Sequence, residues 1–366
     1  MRMRYINLFL LSATVLICLS MNLFNPKHAL AADIRDELDR YTILHDRQLV
    51  DRWLRGQHHN SFFQIDAAIS SGTRKLVGDI KNQTQDTSAN PVVKALAVAN
   101  LLNQNLNTEK YVDLDLEAGL PLPYIKIFNT RLLPSLFIGL NMSLSLTISN
   151  FGDATNPRAQ IYMKKDMKTG VKSVVQLREN QQLEVALYKL ARADAKNTIT
   201  ALQIANDQGL FDFDTLNQNQ DLLALDAVYK LQNRENIYHL GFLEAGIYTM
   251  DFQRRSYYGT RPMTLATWSR ELKGRNHAWL VQAGHHYRRR YAMADGLFAH
   301  AEVSWKERLP LIGFFKVDPG FLTLGPIVRG RYFQFSYLYK TPYINPQDRL
   351  WVPAIHNILL DIRFPL

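Results

Sequence analysis

Residues 135–149 read SLFIGLNMSLSLTIS. Leu136, Ile138, Leu140, Met142, Leu144, Leu146 and Ile148 fall on one parity. Ser135, Gly139, Asn141, Ser143, Ser145, Thr147 and Ser149 fall on the other, with Phe137 as the one large apolar intruder. Strict alternation places successive side chains on opposite faces and so predicts an extended strand. At about 3.3 Å per residue the strand is roughly 45 Å long, well beyond an ordinary globular strand. One wholly apolar face against a small, polar one suits a wall between lipid and a wet interior. The fold class expected from this stretch is an all-β transmembrane antiparallel β-barrel. It has an N-terminal helical region and a helical insert.

Composition agrees with that class. The chain has 366 residues, of which 11% are aromatic, and a net charge of +10. Mean hydropathy is only −0.19, but alternation hides membrane strands from such an average. Past the first 20 residues no apolar run reaches the ~20 that a membrane helix needs. The basic balance suits anionic lipid headgroups or lipopolysaccharide. No nucleic-acid-binding motif is present, and no nucleic acid is expected as a partner.

Working outward toward the N-terminus, Arg2 and Arg4 precede an apolar segment over 8–19, and Ala29-Leu30-Ala31 supplies small residues before a cleavage point. Residues 1–31 thus read as a signal peptide, cleaved near Ala31. The single cysteine, Cys18, leaves with it, so no disulfide, thiolate nucleophile or cysteine metal site is expected.

Residues 32–106 change to helical spacing, with Ile34, Leu38, Tyr41, Leu49 and Trp53 on one face, further pieces over 62–80 and 92–102, and Asn90-Pro91 as punctuation. They read as a periplasmic leader or a plug folded against the barrel mouth. The pair His58-His59 suggests a metal ligand. However, Gln57 and Asn60 beside it, with no carboxylate at helical spacing, make a solvated loop the better reading.

The barrel is expected over 107–366. Strands are read at 111–118, 135–149, 159–163, 171–177, 237–252, 263–272, 278–290, 297–306, 327–339 and 355–364, which makes about ten, in a range of roughly 8 to 14. Residues 308–321 could hide another pair. Trp268, Trp279, Trp305, Tyr337 and Tyr339 near strand ends fit an aromatic girdle. Arg329 and Arg331 share a parity with Phe333, Phe335 and Tyr337, which is awkward in lipid and calls for a headgroup position or a bulge. Residues 179–236 interrupt the pattern: Leu183, Leu187, Leu190 and Ala191, then Leu222, Leu225, Val228 and Leu231, return to helical spacing. They read as a helical insert on the periplasmic side. Asp212-Phe213-Asp214 lacks the glycine and distal glutamate of a calcium loop.

In the final strand Ile358, Leu360, Ile362 and Phe364 oppose Asn357, Asp361 and Arg363. They join the apolar face of residues 135–149 as the expected lipid-facing set. The expected lumen carries Asp113, Asp115, Glu117, Glu302 and Asp361 against Arg288, Arg290, Lys306 and Arg363. Asp113, Asp115 and Glu117 stack about 7 Å apart on their strand, too far for one ion's first shell. They are therefore expected to pair with lumen arginines. No metal and no cofactor is expected.

The helical run Ala97-Val98-Ala99-Asn100-Leu101-Leu102, followed by a strand closing on Gly119-Leu120-Pro121-Leu122-Pro123, resembles the conjugal-transfer TraF-like outer-membrane barrels, which are grouped with the fatty-acid-transporter barrels. The resemblance covers residues 90–150, carries no catalytic motif and supports the barrel class.

A narrow lumen crossed by opposite charges implies a narrow or gated channel or transporter in the bacterial outer membrane. A membrane-anchored docking or assembly protein using its periplasmic helices is the alternative. A lipid-acting hydrolase built on His286, His300 and Ser304 is a second, and a soluble secreted β-sandwich lies beneath them all. The expected partners are outer-membrane lipid and lipopolysaccharide, the barrel-assembly machinery, and a periplasmic protein or peptidoglycan.

Overall fold

The computed structural model describes residues 37–56, 61–85, 90–127, 130–149, 157–206, 213–305, 310–343 and 351–364. The signal-peptide region, His58-His59, Asp212 and Lys306 lie outside the described residues.

The alternating stretch lies within a strand Thr130–Ser149, one of fifteen that form a single antiparallel sheet. The first strands are β1 (Ser61–Ser70), β2 (Thr108–Pro121), β3 (Ile125–Ile127), β4 (Thr130–Ser149), β5 (Arg158–Arg178) and β6 (Gln181–Thr200). Next come β7 (Gln220–Asn233), β8 (Asn236–Phe252), β9 (Met263–Lys273), β10 (His277–Tyr287) and β11 (Leu297–Trp305). The last are β12 (Leu311–Asp318), β13 (Phe321–Arg329), β14 (Phe333–Pro342) and β15 (Ile355–Arg363). β1 bonds to both β15 and β2, and β2 bonds to β4, so the ladder closes on itself. β3 only extends the edge of β4, which leaves a barrel of 14 staves.

Burial shows which face is which. Ser135, Ser143 and Ser145 are at most 2% exposed, whereas Leu136 and Ile138 are 45% and 53% exposed. Small polar side chains point in and large apolar ones point out, the reverse of a soluble barrel. Ile358, Ile362 and Phe364 are likewise exposed, while Asn357, Asp361 and Arg363 are buried. Trp279 and Trp305 are exposed on the same outer face.

The count of about ten strands is corrected to 14, for four local reasons. Residues 61–70, expected as helix, form β1, whose inward Gln64, Asp66, Ala68 and Ser70 are buried. The expected helical insert 179–236 is mostly β6 and β7, with a five-residue helix Ala201–Ala205 at the loop between them. Leucines sit on both faces of these strands, since Leu190 and Leu222 point inward into a cluster with Phe137 and Tyr188. Period two was thereby disguised as a helical spacing. Residues 327–339 divide at Gly330 into β13 and β14, and β12 precedes them. That division removes the awkward parity, because Arg329 points inward and donates to Gln334 and to the Arg55 carbonyl. In the opposite sense, the hairpin expected over 159–177 is one continuous strand, β5.

The charge run at residues 164–170, which reads as a turn, stays extended because its inward charges, Lys164, Asp166 and Lys168, have lumen partners. Gly170 sits directly between Phe137 of β4 and Tyr188 of β6 in register. Those two rings meet across it, edge to face, with centroids 5.8 Å apart. A Cβ at Gly170 would stand 2.2 Å from the Leu187 carbonyl oxygen and 2.5 Å from the Tyr188 Cβ. The inward Phe137 is the other half of that arrangement.

Among the described residues four α-helices accompany the barrel: α1 (Glu37–Leu54), α2 (Thr73–Gln85), α3 (Pro91–Gln104) and α4 (Ala201–Ala205). α1 carries Glu37 and Asp39 in its first turn and Arg52 in its last, as the helix dipole favours. Gly56, at φ 87°, closes it by donating to the Trp53 carbonyl, a left-handed cap that glycine adopts without strain. Fifteen of its 18 residues are buried, which requires wall on every side. α1 lies inside the barrel. α2, α3 and α4 pack instead on the outer wall, where Leu76, Val98, Leu102 and Ile204 cover Ile148, Ala159, Ile161, Ala195 and Ile199. Leu144 and Leu146 join the edge of this cluster and Ile148 is fully buried, so these three outward residues, expected against lipid, are covered by protein.

The staves are unequal. β4, β5 and β6 have 20, 21 and 20 residues, whereas β11 to β15 have 8 to 10. At about 3.3 Å per residue and a tilt near 40°, the long staves rise roughly 50 Å, about twice the ~25 Å apolar band of a membrane barrel. The helices cover the surplus.

Candidate functional site: the occupied lumen

The lumen is filled by α1 and the side chains that hold it. At the mouth where α1 begins, Glu37 faces Lys196 at 3.7 Å, Asp39 pairs with Arg290 at 3.4 Å, and Arg40 donates to Glu109 at 3.2 Å. Glu109 also accepts from Ser145, and Tyr41 is bonded to Ser143.

One turn further in, Asp46 is the hub of the largest network. It accepts from Arg288 at 3.0 Å, from the Tyr291 hydroxyl at 3.0 Å and from the Tyr258 hydroxyl at 3.3 Å. Arg288 reaches Glu244 at 3.1 Å, and Arg192 holds Asp166 with two bonds of 2.8 Å. Lys164 bridges Asp166 at 2.8 Å to His45 of the helix at 3.0 Å. Lys164, Arg192 and Arg288 all stand over the Tyr258 ring, 4.6 to 4.9 Å from its centre. Tyr258 belongs to the β8–β9 loop, which folds inward because Asp194 accepts from the Ser256 hydroxyl and the Tyr257 and Tyr258 amides. Burial, and then the Asp46 carboxylate, hold the Tyr291 phenol well above its ordinary range, so it stays a donor.

Toward the far end of α1, Arg52 binds three carboxylates: Asp66 at 2.8 Å, Asp115 at 2.8 Å and Asp113 at 3.3 Å. Arg55 shares Asp66 at 2.8 Å and reaches Ser336 and Asn357. Across the helix, Asp51 takes Lys316 and Lys340, and Arg47 faces Asp318 at 3.5 Å. Beside these charges runs an apolar contact in which Leu49, Val50 and Leu54 pack on Met263, Leu265, Phe298, Ile312, Phe314, Ile327 and Leu338.

The described lumen charges expected from sequence face inward, but four of them are met by the helix rather than by an opposite charge across the lumen. Asp113 and Asp115 are bound by Arg52 of the helix, Arg288 by Asp46 and Arg290 by Asp39. Glu117 pairs with Lys172 on the neighbouring wall, and Arg363 with Asp361 on its own strand at 2.7 Å. Glu302 lies 3.6 Å from His300. For Asp113, Asp115, Arg288 and Arg290 the pairing predicted across the lumen is therefore corrected to a pairing onto α1. His286, His300 and Ser304 are each committed elsewhere, to Tyr291, Gln282 and the Ala278 carbonyl.

Sequence reasoning missed Asp46, Asp51, Arg52 and Arg55 on the helix, and Lys164, Asp166, Arg192, Glu244, Lys316 and Lys340 on the wall. A signal was present. From Glu37 to Arg55 charges recur on every side of the helix, which an amphipathic surface helix does not show.

No protein-family model and no curated protein matches this chain. Among solved structures it is similar to CdiB from Acinetobacter baumannii, at 9% identity and a TM-score of 0.35, over 83% of this chain and 60% of that one. CdiB from Escherichia coli gives 10% and 0.34, over 83% and 63%. The transport unit of the autotransporter AIDA-I from Escherichia coli gives 9% and 0.33, over 86% and 92%. The chain thus spans about three-fifths of the length of the CdiB chains it matches. These likenesses do not show the TraF-like relationship, and the barrel assignment rests on the closed ladder itself.

Proposed function

We propose that this chain is an outer-membrane barrel whose lumen is closed by its own helix α1, and that it works as a gated channel or translocation unit. The observation that carries the reading is the chemistry between plug and wall. On one flank α1 is held by buried ion pairs, with Leu38, Tyr41 and Leu44 on Ala68, Tyr111 and Tyr162 as the smaller apolar contact there. Forming such pairs costs desolvation that nearly offsets their attraction. Water admitted to the lumen can replace them, whereas it cannot replace an apolar contact. A plug held this way can leave without exposing much greasy surface on that flank.

Membrane insertion is supported by the outward apolar face, with Leu136, Ile138, Ile358 and Ile362 exposed. The connections set the orientation. At one end β5–β6 and β7–β8 are joined by two residues each, whereas at the other β1–β2 and β6–β7 are joined by residues 71–107 and 201–219. Membrane barrels keep short turns on the periplasmic side and long loops outside. In this reading α1 runs from the outer mouth toward the periplasm, and α2, α3 and α4 lie at the outer end rather than in the periplasm. The docking alternative, which needed periplasmic helices, loses its main support.

Planar-bilayer recording tests the gate. Intact protein should conduct weakly or not at all, and a variant lacking Glu37–Leu54 should conduct steadily. The deletion must stop short of Ser61, because β1 is a stave. A large steady conductance from intact protein, or none from a deletion variant that still shows heat-modifiable migration, would overturn the gate.

A further inference from the structure

The helices on the outer wall carry more apolar surface than the wall uses. From Val92 to Leu102 the only polar residues of α3 are Lys94 and Asn100. Val98 and Leu102 are buried against the barrel, yet Val92, Val93 and Leu96 on the opposite side are 57–62% exposed. Val77 of α2 and Leu202 of α4 are each 54% exposed. A helix apolar on both faces is covered on both faces, and among the described residues none supplies the outer covering.

Position and charge identify the occupant. The cluster under these helices is built on the outward parity of β4, β5 and β6. Further along the same parities Leu136, Ile138, Met167, Val171 and Leu187 form the exposed belt. The outer face of α3 therefore continues the surface that faces lipid in the proposed membrane reading, on which this inference rests. On α2, Arg74 and Lys81 lie three and four residues from Val77, on its flank of the helix, and both are exposed, as is Lys75. Apolar side chains flanked by cations are the pattern of a helix lying in a membrane interface with anionic headgroups.

We infer that α2, α3 and α4 form a lipid-seated cap, with Val92, Val93 and Leu96 in the bilayer at the long-loop end and the α2 cations on anionic lipid phosphates. Such a cap would brace the long staves where they rise past the apolar band, and so tie the geometry of the β4–β6 wall to the surrounding leaflet.

The test uses the full chain in a Cys18→Ser background, with single cysteines at Leu96, Ile138 and Asn276, exposed in the β9–β10 turn, carrying an environment-sensitive fluorophore. The protein is placed in phosphatidylcholine vesicles with or without phosphatidylglycerol, and challenged with spin-labelled lipid or aqueous iodide. Loss of emission to spin-labelled lipid is expected at Leu96 and Ile138, and to iodide at Asn276. Lipid quenching at Ile138 with iodide quenching at Leu96 would place α3 in water and overturn the cap while sparing the membrane reading. Shielding of Leu96 from both quenchers would mean that protein, whether a second copy or a partner, covers it, and overturns the cap equally. Absence of lipid quenching at Ile138 as well would sink the membrane reading and the cap with it. Stronger lipid quenching at Leu96 with phosphatidylglycerol, lost in Lys75→Glu/Lys81→Glu, is the expected mark of the cations. Equal quenching on both vesicles would overturn the anionic assignment.

Discussion

Helix α1 meets two unlike walls. Toward β1, β2, β4 and β5 charged and polar partners dominate: Arg52 on Asp66, Asp113 and Asp115, Arg40 on Glu109, Tyr41 on Ser143, His45 on Lys164, beside a smaller cluster of Leu38, Tyr41 and Leu44 with Ala68, Tyr111 and Tyr162. Toward β9 and β11 to β14 it lays Leu49, Val50 and Leu54 on seven apolar wall residues, beside polar contacts of Asp51 with two lysines, Arg47 with Asp318 and Arg55 with Ser336. The first contact is one that water can dissolve, and the second is one that water resists. A plug so held should open by peeling from the charged wall while leaning on the apolar one.

Arg52→Ala should break this arrangement most severely. It leaves Asp66, Asp113 and Asp115 facing one another in the lumen, with Arg55 still on Asp66 and the Asn141 amide on Asp113. Losing one partner of a buried ion pair costs about 3–5 kcal/mol. The expected outcome is a conducting lumen in planar bilayers and a lower temperature of heat-modifiable migration. Adding Asp113→Asn and Asp115→Asn should restore part of both. If Arg52→Ala remains closed, the charged wall does not hold the gate.

Val50→Ala probes the other wall. Val50 is fully buried in the apolar contact, and truncating it should cost about 2 kcal/mol in lost transfer and cavity terms. Because the ion pairs remain, the migration temperature should fall without conduction. A Val50→Ala lumen that conducts as freely as Arg52→Ala would erase the distinction between the walls.

The same difference explains what the sequence made legible. The wall was readable where its two faces differ in chemistry, as in residues 135–149, because burial with a polar lumen enforces strict alternation there. It was illegible where the lumen side is apolar, as at Leu190 and Leu222, since leucines on both faces mimic a helix. It was also illegible where the lumen side is densely charged, as over Lys164, Asp166 and Lys168, since such a run reads as a turn. The inward direction of Asp113, Asp115 and Arg288 follows from parity alone. Their partners do not, because a helix threaded through a barrel leaves no periodic trace in the strands it touches.

Gly170→Ala sharpens the comparison within the long wall, away from the helix. The added carbon meets the backbone of β6 at 2.2 Å, so the β5–β6 ladder must shift and the Phe137–Tyr188 pair must open. Overpacking of this kind costs about 1–3 kcal/mol, and its lower half is expected here because only the wall, not the plug, is strained. Migration temperature should fall modestly while conductance stays at the intact level.

The smallest effect should come from an ion pair that lacks burial. Arg270 of β9 pairs with Glu235, in the short turn between β7 and β8, at 2.9 Å, but the two side chains are 37% and 65% exposed. In geometry it is nearly as close as the pairs of Arg52 with Asp66 and Asp115 at 2.8 Å, so distance alone would rank it with Arg52. Exposure decides otherwise, because solvent screens the attraction and two flexible side chains lose freedom to make it. Glu235→Ala should cost about 0.2–1 kcal/mol, leave conductance unchanged, and lose even that small penalty in high salt. A Glu235→Ala variant as damaging as Arg52→Ala would mean that proximity, and not enclosure in the lumen, sets the worth of these charges.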